Sequence, residues 1–136
     1  MEIIYVGNEI LRKIAEPINI NEEYDQTIEL IEEMLRLVKE NDGAGIAAPQ
    51  VGISKRVILV KNPDTNDFVV MINPQIVWTS FDREYMKEGC LSVLGEDGKP
   101  IHKNVFRFTR VRVKYEDIGG QIHEDLVKNH LMARII

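Results

Sequence analysis

The chain has 136 residues, 44% of them hydrophobic, and a formal net charge of -5. This length predicts a single domain over residues 1–136, and the acidic balance argues against nucleic acid as a partner, so the basic stretch Lys103–Arg112 is interpreted as a solvated strand face. No apolar run reaches the roughly 20 residues that cross a bilayer, and the first residues lack the basic segment of a signal peptide. We therefore expect a cytoplasmic protein with no membrane partner.

The first part of the chain contains one clear helical pattern. Ile3–Val6 predicts a short strand or an extended arm, and Pro17 starts an extended connection. Within Thr27–Lys39 the apolar residues recur at helical spacing on one face: Ile28, Ile31, Met34, Leu35 and Val38. Asn41–Gly43 then predicts the end of the helix, with Gly43 available for a left-handed cap.

The rest of the chain is dominated by strand patterns. Three candidates follow one another, with Pro74 ending the second: Arg56–Lys61, Asp67–Asn73 and Gln75–Phe81. Val105–Tyr115 alternates over a long span, and Glu116–Gly120 predicts a hairpin turn. Leu126–Ile136 fits either a strand or a helix. A helix followed by strands, without repeats or linkers, predicts an α+β domain.

A glycine-rich loop, Gly43–Gly52, follows the predicted helix with the sequence Gly-Ala-Gly-Ile-Ala-Ala-Pro-Gln-Val-Gly. It fits a tight helix-to-strand turn. A phosphate-binding loop is disfavoured, because the Gly-Lys-Ser/Thr ending is missing and the loop follows a helix instead of opening one. A third interpretation places the Gln50 carboxamide in a cleft, where it can donate a hydrogen bond to an oxyanion without titrating.

Cys90, within Glu88–Ser92, is the only cysteine, so no internal disulfide can form. It fits an inert, small apolar residue. A cysteine nucleophile would need a base, but the sequence does not tie His102, His123 or His130 to it. A metal ligand is the third possibility, because coordination deprotonates a thiol even beside a carboxylate.

His123, Glu124 and His130 imitate a metal motif. The two histidines are seven residues apart in the sequence, and this spacing is about 10 Å along a helix, too far for one shared ion. They are interpreted as surface histidines.

The segments Gly43–Gln50 and Glu88–Ser92 resemble the first two signature motifs of the peptide deformylases. Those metal-dependent hydrolases remove the formyl group from the N-terminal methionine of new bacterial proteins. The resemblance covers essentially the whole chain, including Ile3–Lys13 and Val113–Gly120. It implies an α+β deformylase fold, with antiparallel sheets around a C-terminal helix.

The resemblance also implies roles for individual residues. Cys90 would be a metal ligand, and Gln50 with the backbone N–H of Leu91 would hold the oxyanion. The metal would be Fe²⁺, with Zn²⁺, Ni²⁺ or Co²⁺ as alternatives, provided that the site is completed. The substrate would be an N-formyl-methionyl peptide, bound as an added strand by three residues: Ala44, Gly45 and Gly89.

The third family motif, His-Glu-x-x-His, supplies two metal ligands and the general acid/base, and it is absent from the 136 residues. Ala133–Ile136 resembles the turn before that motif. The C-terminal helix is therefore expected to be reduced to its opening turns, with Leu131, Met132 and Arg134 near the methionine pocket. Apolar surface left uncovered predicts an exposed patch, a homodimer or a rearranged C-terminus. Leu94 departs from the family, where proline or a polar residue is frequent.

Three functions remain open at this point. The first is a deformylase-like protein that cannot deformylate as it stands. The second is an active deformylase whose missing metal ligands come from elsewhere, for example from a neighbouring chain. The third is a binding module that holds peptide N-termini without cleaving them.

Overall fold

The structure, a computed structural model, describes residues 1–128, without the side chains of residues 84–88, 100 and 102–106. The described residues form one α-helix and seven strands: α1 (Tyr24–Glu40), β1 (Gly45–Ala47), β2 (Val57–Lys61), β3 (Phe68–Thr79), β4 (Arg83–Leu94), β5 (Pro100–Phe108), β6 (Val111–Glu116) and β7 (Ile122–Val127). Short 3-10 turns occupy Glu9–Arg12 and Ala48–Val51. The predicted α+β class is confirmed. The predicted C-terminal helix and His130 lie outside the described residues.

All strand pairs are antiparallel, in a five-stranded sheet of order β1-β2-β3-β6-β7 and a two-stranded sheet of β4 and β5. One face of the larger sheet packs against α1, with Leu59 and Ile72 in that core. A second core, which includes Val60 and Val113, lies on the opposite face. Burial on both faces explains why β2 is a continuous apolar run instead of an alternating one.

Helix α1 is longer than predicted, and its buried face includes Leu30 and Leu37, which the predicted apolar face did not. The buried residues are Thr27, Leu30, Ile31, Met34, Leu37 and Val38, whereas Ile28 and Leu35 are only half-buried. The predicted left-handed cap at Gly43 is wrong, because Asp42 takes the positive φ of 51°. Gly43 instead provides space: a Cβ there would lie 2.8 Å from Val38 Cγ2.

Strand β3 runs through Pro74, so the predicted strand end at this proline is wrong. The register shifts between Ile72 and Gln75, and Asn73 has a φ of 52°. The Asn73 carboxamide accepts a hydrogen bond from Ile18 N (2.7 Å) and donates to Glu116 Oε2 (2.6 Å). This bulge removes the need for a ladder hydrogen bond from proline, which has no N–H to donate.

The predicted strand Val105–Tyr115 is divided between β5 and β6 at Thr109 and Arg110. Together with Ser80 and Asp82, from the connection between β3 and β4, these residues form a group that we call the polar joint. The Ser80 and Thr109 hydroxyls are buried and 3.2 Å apart, and Thr109 Oγ1 donates to Asp82 Oδ2 at 2.6 Å. Ser80 N donates to Arg110 O at 2.9 Å. At this joint the chain leaves the larger sheet for the β4–β5 hairpin and later returns.

Several large apolar side chains are exposed: Ile76, Val77, Trp78, Phe81, Ile122 and Leu126. The homodimer expected to cover such residues stays a prediction. Within residues 1–128, no helix is long and apolar enough to cross a membrane.

Candidate active site

The glycine loop leads from α1 into β1, the terminal strand of the five-stranded sheet. Gly45 is opposite Val60 in β2, and the Ala44 carbonyl accepts a hydrogen bond from Lys61 N at 2.8 Å. Among the described residues, β1 pairs with β2 alone. Ala44 and Gly45 therefore lie beside a sheet edge that another extended chain can join.

Gln50 is held by the 3-10 turn Ala48–Val51, which Pro49 stiffens near its start and Gly52 ends with a φ of 87°. The Gln50 Oε1 atom accepts a hydrogen bond from Ala47 N at 2.9 Å. Because Oε1 is bound to the loop itself, the amide nitrogen of the same carboxamide is presented on the other side. The Gln50 residue is half-buried.

The two sequence motifs meet at this nitrogen. Gln50 Nε2 donates to Ser92 Oγ at 3.1 Å and lies 3.5 Å from Cys90 Sγ, although Gln50 and Cys90 are 40 residues apart in the chain. Cys90 is a free, exposed thiol on β4, so the interpretation as an inert buried residue is wrong. The interpretation of this loop as a phosphate-binding loop finds no support, because its Gln50 side chain contacts Cys90 on β4.

Leu91 and Gly89 flank the cysteine and are placed by different contacts. The Leu91 side chain packs over the glycine loop, where a Cβ at Gly43 would lie 3.1 Å from Leu91 Cδ1. Gly89 is opposite His102 in the β4–β5 pair, and the register shifts between Gly89 and Leu94. The backbone of the motif is thus freed from regular pairing at the residues that carry the predicted chemistry.

An N-terminal arm, residues 1–6, joins both motifs through its backbone. Ile4 N donates to Gln50 O at 2.7 Å, and Val6 N donates to Ser92 O at 2.8 Å. The extended segment was predicted from sequence, but its two contacts were not. Main-chain hydrogen bonds place almost no requirement on residue type, so no sequence signal could have revealed them.

The described residues do not provide a complete metal site. Among them, no group of three His, Cys, Asp or Glu residues is arranged to hold an ion. At the meeting point Cys90 offers one soft ligand, whereas its neighbour Gln50 presents amide hydrogens instead of a lone pair. A catalytic site needs three protein ligands, so this donor set fits only one of the three positions implied by the resemblance.

His123 has a structural role instead of a metal-binding one. Its ring stacks on Tyr115 with centroids 5.2 Å apart, and its Nε2 lies 2.8 Å from Asp117 Oδ2. This hydrogen bond lowers the pKa of Asp117. With a side chain that is 36% exposed, His123 lies at the surface as predicted, whereas its contacts with Tyr115 and Asp117 were not predicted. The His102 side chain is outside the described set.

Comparison with known proteins gives one family for both the sequence and the fold. A family model described as polypeptide deformylase matches residues 1–136. A peptide deformylase of Halothermothrix orenii is 38% identical over 89% of this chain, which spans 73% of that protein. One of Brachyspira hyodysenteriae is 34% identical over 88% of this chain, which spans only 63% of that protein.

Solved structures agree with this match. A class I type b peptide deformylase from Acinetobacter baumannii, crystallised with Met-Ala-Ser bound, superimposes with a TM-score of 0.85 and 38% identity. The alignment covers 99% of this chain and 87% of that one. Since the match extends over the full sequence and nearly all of the fold, the chain belongs to the peptide deformylase family.

Proposed function

We propose that this chain binds the N-terminus of N-formyl-methionyl peptides and carries the oxyanion-binding half of a deformylase site. The observation that carries the proposal is the approach of Gln50 Nε2 to Cys90 Sγ, at 3.5 Å. It brings a non-titrating hydrogen-bond donor next to a thiol that can ligate a metal. A cytoplasmic location, where new peptides emerge, is part of the proposal.

The peptide would join the sheet at the edge strand β1. Ala44 and Gly45 would exchange backbone hydrogen bonds with the substrate, and Gly89 would border it from β4. Main-chain pairing of this kind holds peptides of varied sequence, as a deformylase substrate range requires. The related Acinetobacter baumannii protein, crystallised with Met-Ala-Ser, supports a peptide as the ligand.

The oxyanion would lie between two N–H donors. A carboxamide nitrogen carries two hydrogens, and Ser92 Oγ accepts one from Gln50 Nε2 at 3.1 Å. The second hydrogen remains for the sulfur or for an oxyanion beside it. The backbone N–H of Leu91 would be the other donor. Donors held in place before the reaction stabilise the developing charge without reorganisation, and one such donor contributes about 10²–10³ in rate.

A divalent metal, when bound, would supply Lewis acidity and an activated water. Cys90 would contribute one thiolate toward it, but the 136 residues contain no His-Glu-x-x-His to supply the other ligands and the general acid/base. We therefore propose that these residues alone bind the peptide without hydrolysing it at an appreciable rate. An active deformylase with ligands from another chain is the second candidate, favoured by the exposure of Cys90.

The test is a titration of ¹⁵N-labelled protein with formyl-Met-Ala-Ser, together with an assay for formate release and metal analysis after anaerobic purification. We expect the amide signals of Ala44, Gly45 and Leu91 to move on binding, with no formate released. Gln50→Ala should weaken binding, and the matched Gln121→Ala, at an exposed site, should not.

Other outcomes separate the candidates. Formate release with stoichiometric metal, both lost in Cys90→Ala, would establish the second candidate. Unchanged amide signals at saturating peptide, with no formate, would overturn the proposal altogether.

A further inference from the structure

Ser92 is the last residue of the cysteine motif, and its environment differs from that of Cys90. Ser92 is 3% exposed, whereas Cys90, two residues earlier on the same strand, is exposed. A hydroxyl buried to this extent requires a hydrogen-bond partner. The partner is Gln50 Nε2, at 3.1 Å.

The Gln50 carboxamide is therefore held at both ends. Ala47 N–H binds Oε1 at 2.9 Å and determines which end of the group is the oxygen. Ser92 Oγ binds Nε2 and determines where the nitrogen lies relative to Cys90 Sγ. Without the second contact, the carboxamide could turn about its last side-chain bond, because this torsion has broad energy wells.

The backbone of Ser92 is fixed independently of its side chain. Its carbonyl accepts the hydrogen bond from Val6 N at 2.8 Å, and the same arm donates from Ile4 N to the carbonyl of Gln50 at 2.7 Å. The backbones of Gln50 and Ser92 are thus both hydrogen-bonded to the N-terminal arm, independently of the contact between their side chains. A short serine hydroxyl can act as a positioning group only if its backbone is immobilised in this way.

We propose that Ser92 is a positioning residue that holds the Gln50 amide nitrogen in the orientation needed to donate to the oxyanion. The assignment rests on the proposed function for its catalytic meaning. The positioning itself is a property of the free protein and can be measured without peptide or metal.

The experiment measures hydrogen exchange of side-chain carboxamides by NMR in the metal-free, full-length chain. The sequence has four glutamines, and Gln26, Gln75 and Gln121 are exposed, so they serve as internal references. We expect the Gln50 carboxamide to exchange about five- to tenfold more slowly than these, the factor that one net hydrogen bond supplies. Ser92→Ala should remove most of this protection.

Thr27→Ala is the matched control, because Thr27 is a second buried hydroxyl residue, 2% exposed, on α1. It should cost stability while leaving Gln50 protected. Equal protection of Gln50 in the wild type and Ser92→Ala would overturn the inference, and so would an equal loss in Thr27→Ala. Because no peptide is present, Gln50 protection that depends on Ser92 would stand even if the peptide titration failed.

Discussion

Gln50 and Cys90 approach each other from two parts of the molecule that are built differently. Gln50 belongs to a framework of α1 and the five-stranded sheet, where its loop adjoins a core that includes Met34 and Leu59, both fully buried. Cys90 belongs to the hairpin of β4 and β5, which pair only with each other among the described residues. The framework places the backbone of Gln50, but the amide nitrogen of Gln50 is also held by Ser92 of the hairpin, and the hairpin itself is positioned by contacts with the framework.

Three kinds of contact connect the hairpin to the framework. The polar joint fixes the point where both chain segments cross between the sheets. Leu91 packs over Gly43 at the end of α1. The N-terminal arm and the Gln50–Ser92 hydrogen bond tie the two motifs together. The site thus has one half built on a buried core and one half joined to it by these contacts. The predictions below concern first the core, then the contacts, and last a hydrogen bond within the framework far from the site.

The largest effect is expected for truncation of the framework core. Met34→Ala should lower the free energy of unfolding by about 2–5 kcal/mol, because it leaves a cavity where the side chain is fully buried. Ile101→Ala in the hairpin, at a residue that is 38% exposed, should cost less than about 1 kcal/mol. Urea denaturation followed by circular dichroism measures both. Equal losses would mean that the two regions do not differ in this way.

A methyl group at Gly43 should disturb the contact between the regions. Gly43→Ala would place its Cβ 2.8 Å from Val38 Cγ2 and 3.1 Å from Leu91 Cδ1, and overpacking of this kind costs about 1–3 kcal/mol. The backbone amide signal of Leu91 should also move in a ¹H–¹⁵N spectrum. Gly119→Ala is the control, because its Cβ would meet a single atom within 4 Å, Asp117 Oδ1 at 3.3 Å, and no part of the hairpin. An unmoved Leu91 signal would argue against the packing contact.

Removing a hydroxyl from the polar joint should cost about 1–2 kcal/mol. Thr109→Val keeps the shape of the side chain but removes its donation to Asp82 Oδ2. That hydrogen bond is the main cause of the lowered pKa of Asp82. A lowered pKa stabilises the fold above the carboxyl's ordinary value of 3.8, and this stabilisation is lost as the pH falls through the folded-state pKa.

The variant should therefore lose less stability than the wild type on acidification in this range. Unfolding measured at several pH values between neutral and acid checks the difference. Parallel stability curves for the two proteins would exclude the hydrogen bond as the cause.

The smallest effect is expected far from the site. Tyr115→Phe should cost about 0.5–1.5 kcal/mol at neutral pH, because the hydroxyl donates to Asp125 Oδ2 at 2.9 Å. Burial, followed by this hydrogen bond, raises the pKa of Tyr115 to about 12 from an ordinary value of 10.0. Its contribution is complete below pH 10 and is lost as the pH rises toward 12, so the wild type should weaken there more than the variant.

Unfolding measured at high pH tests this expectation. Tyr24→Phe, at an exposed residue of α1, is the matched control and should behave like the wild type.

Local patterns predicted most elements of the framework. Apolar spacing indicated α1, and the run before Lys61 indicated β2, because both patterns record burial directly. The bulge at Pro74 was not predicted, because it depends on hydrogen bonds of Asn73 with Ile18 and Glu116, which are distant in sequence. The break between β5 and β6 was not predicted, because it depends on the buried hydroxyls of the polar joint and not on a local turn sequence.

For the site, motif resemblance selected Gln50 and Cys90, and the structure brings them together. Their chemical roles stay predictions. The Ser92 contact could not be predicted, because a serine within a motif does not reveal its partner until two segments 42 residues apart are folded together.

The N-terminal arm has a consequence for how such proteins can vary. Its contacts with Gln50 and Ser92 are made by the amides of Ile4 and Val6, so most substitutions at these two residues leave the contacts chemically possible. Proline alone lacks the N–H and is excluded. Sequences related to this one can therefore diverge at Val6, whose side chain is exposed, more freely than at Ile3, which packs against the core. A comparison of residue identities at Val6 would mistake that freedom for unimportance.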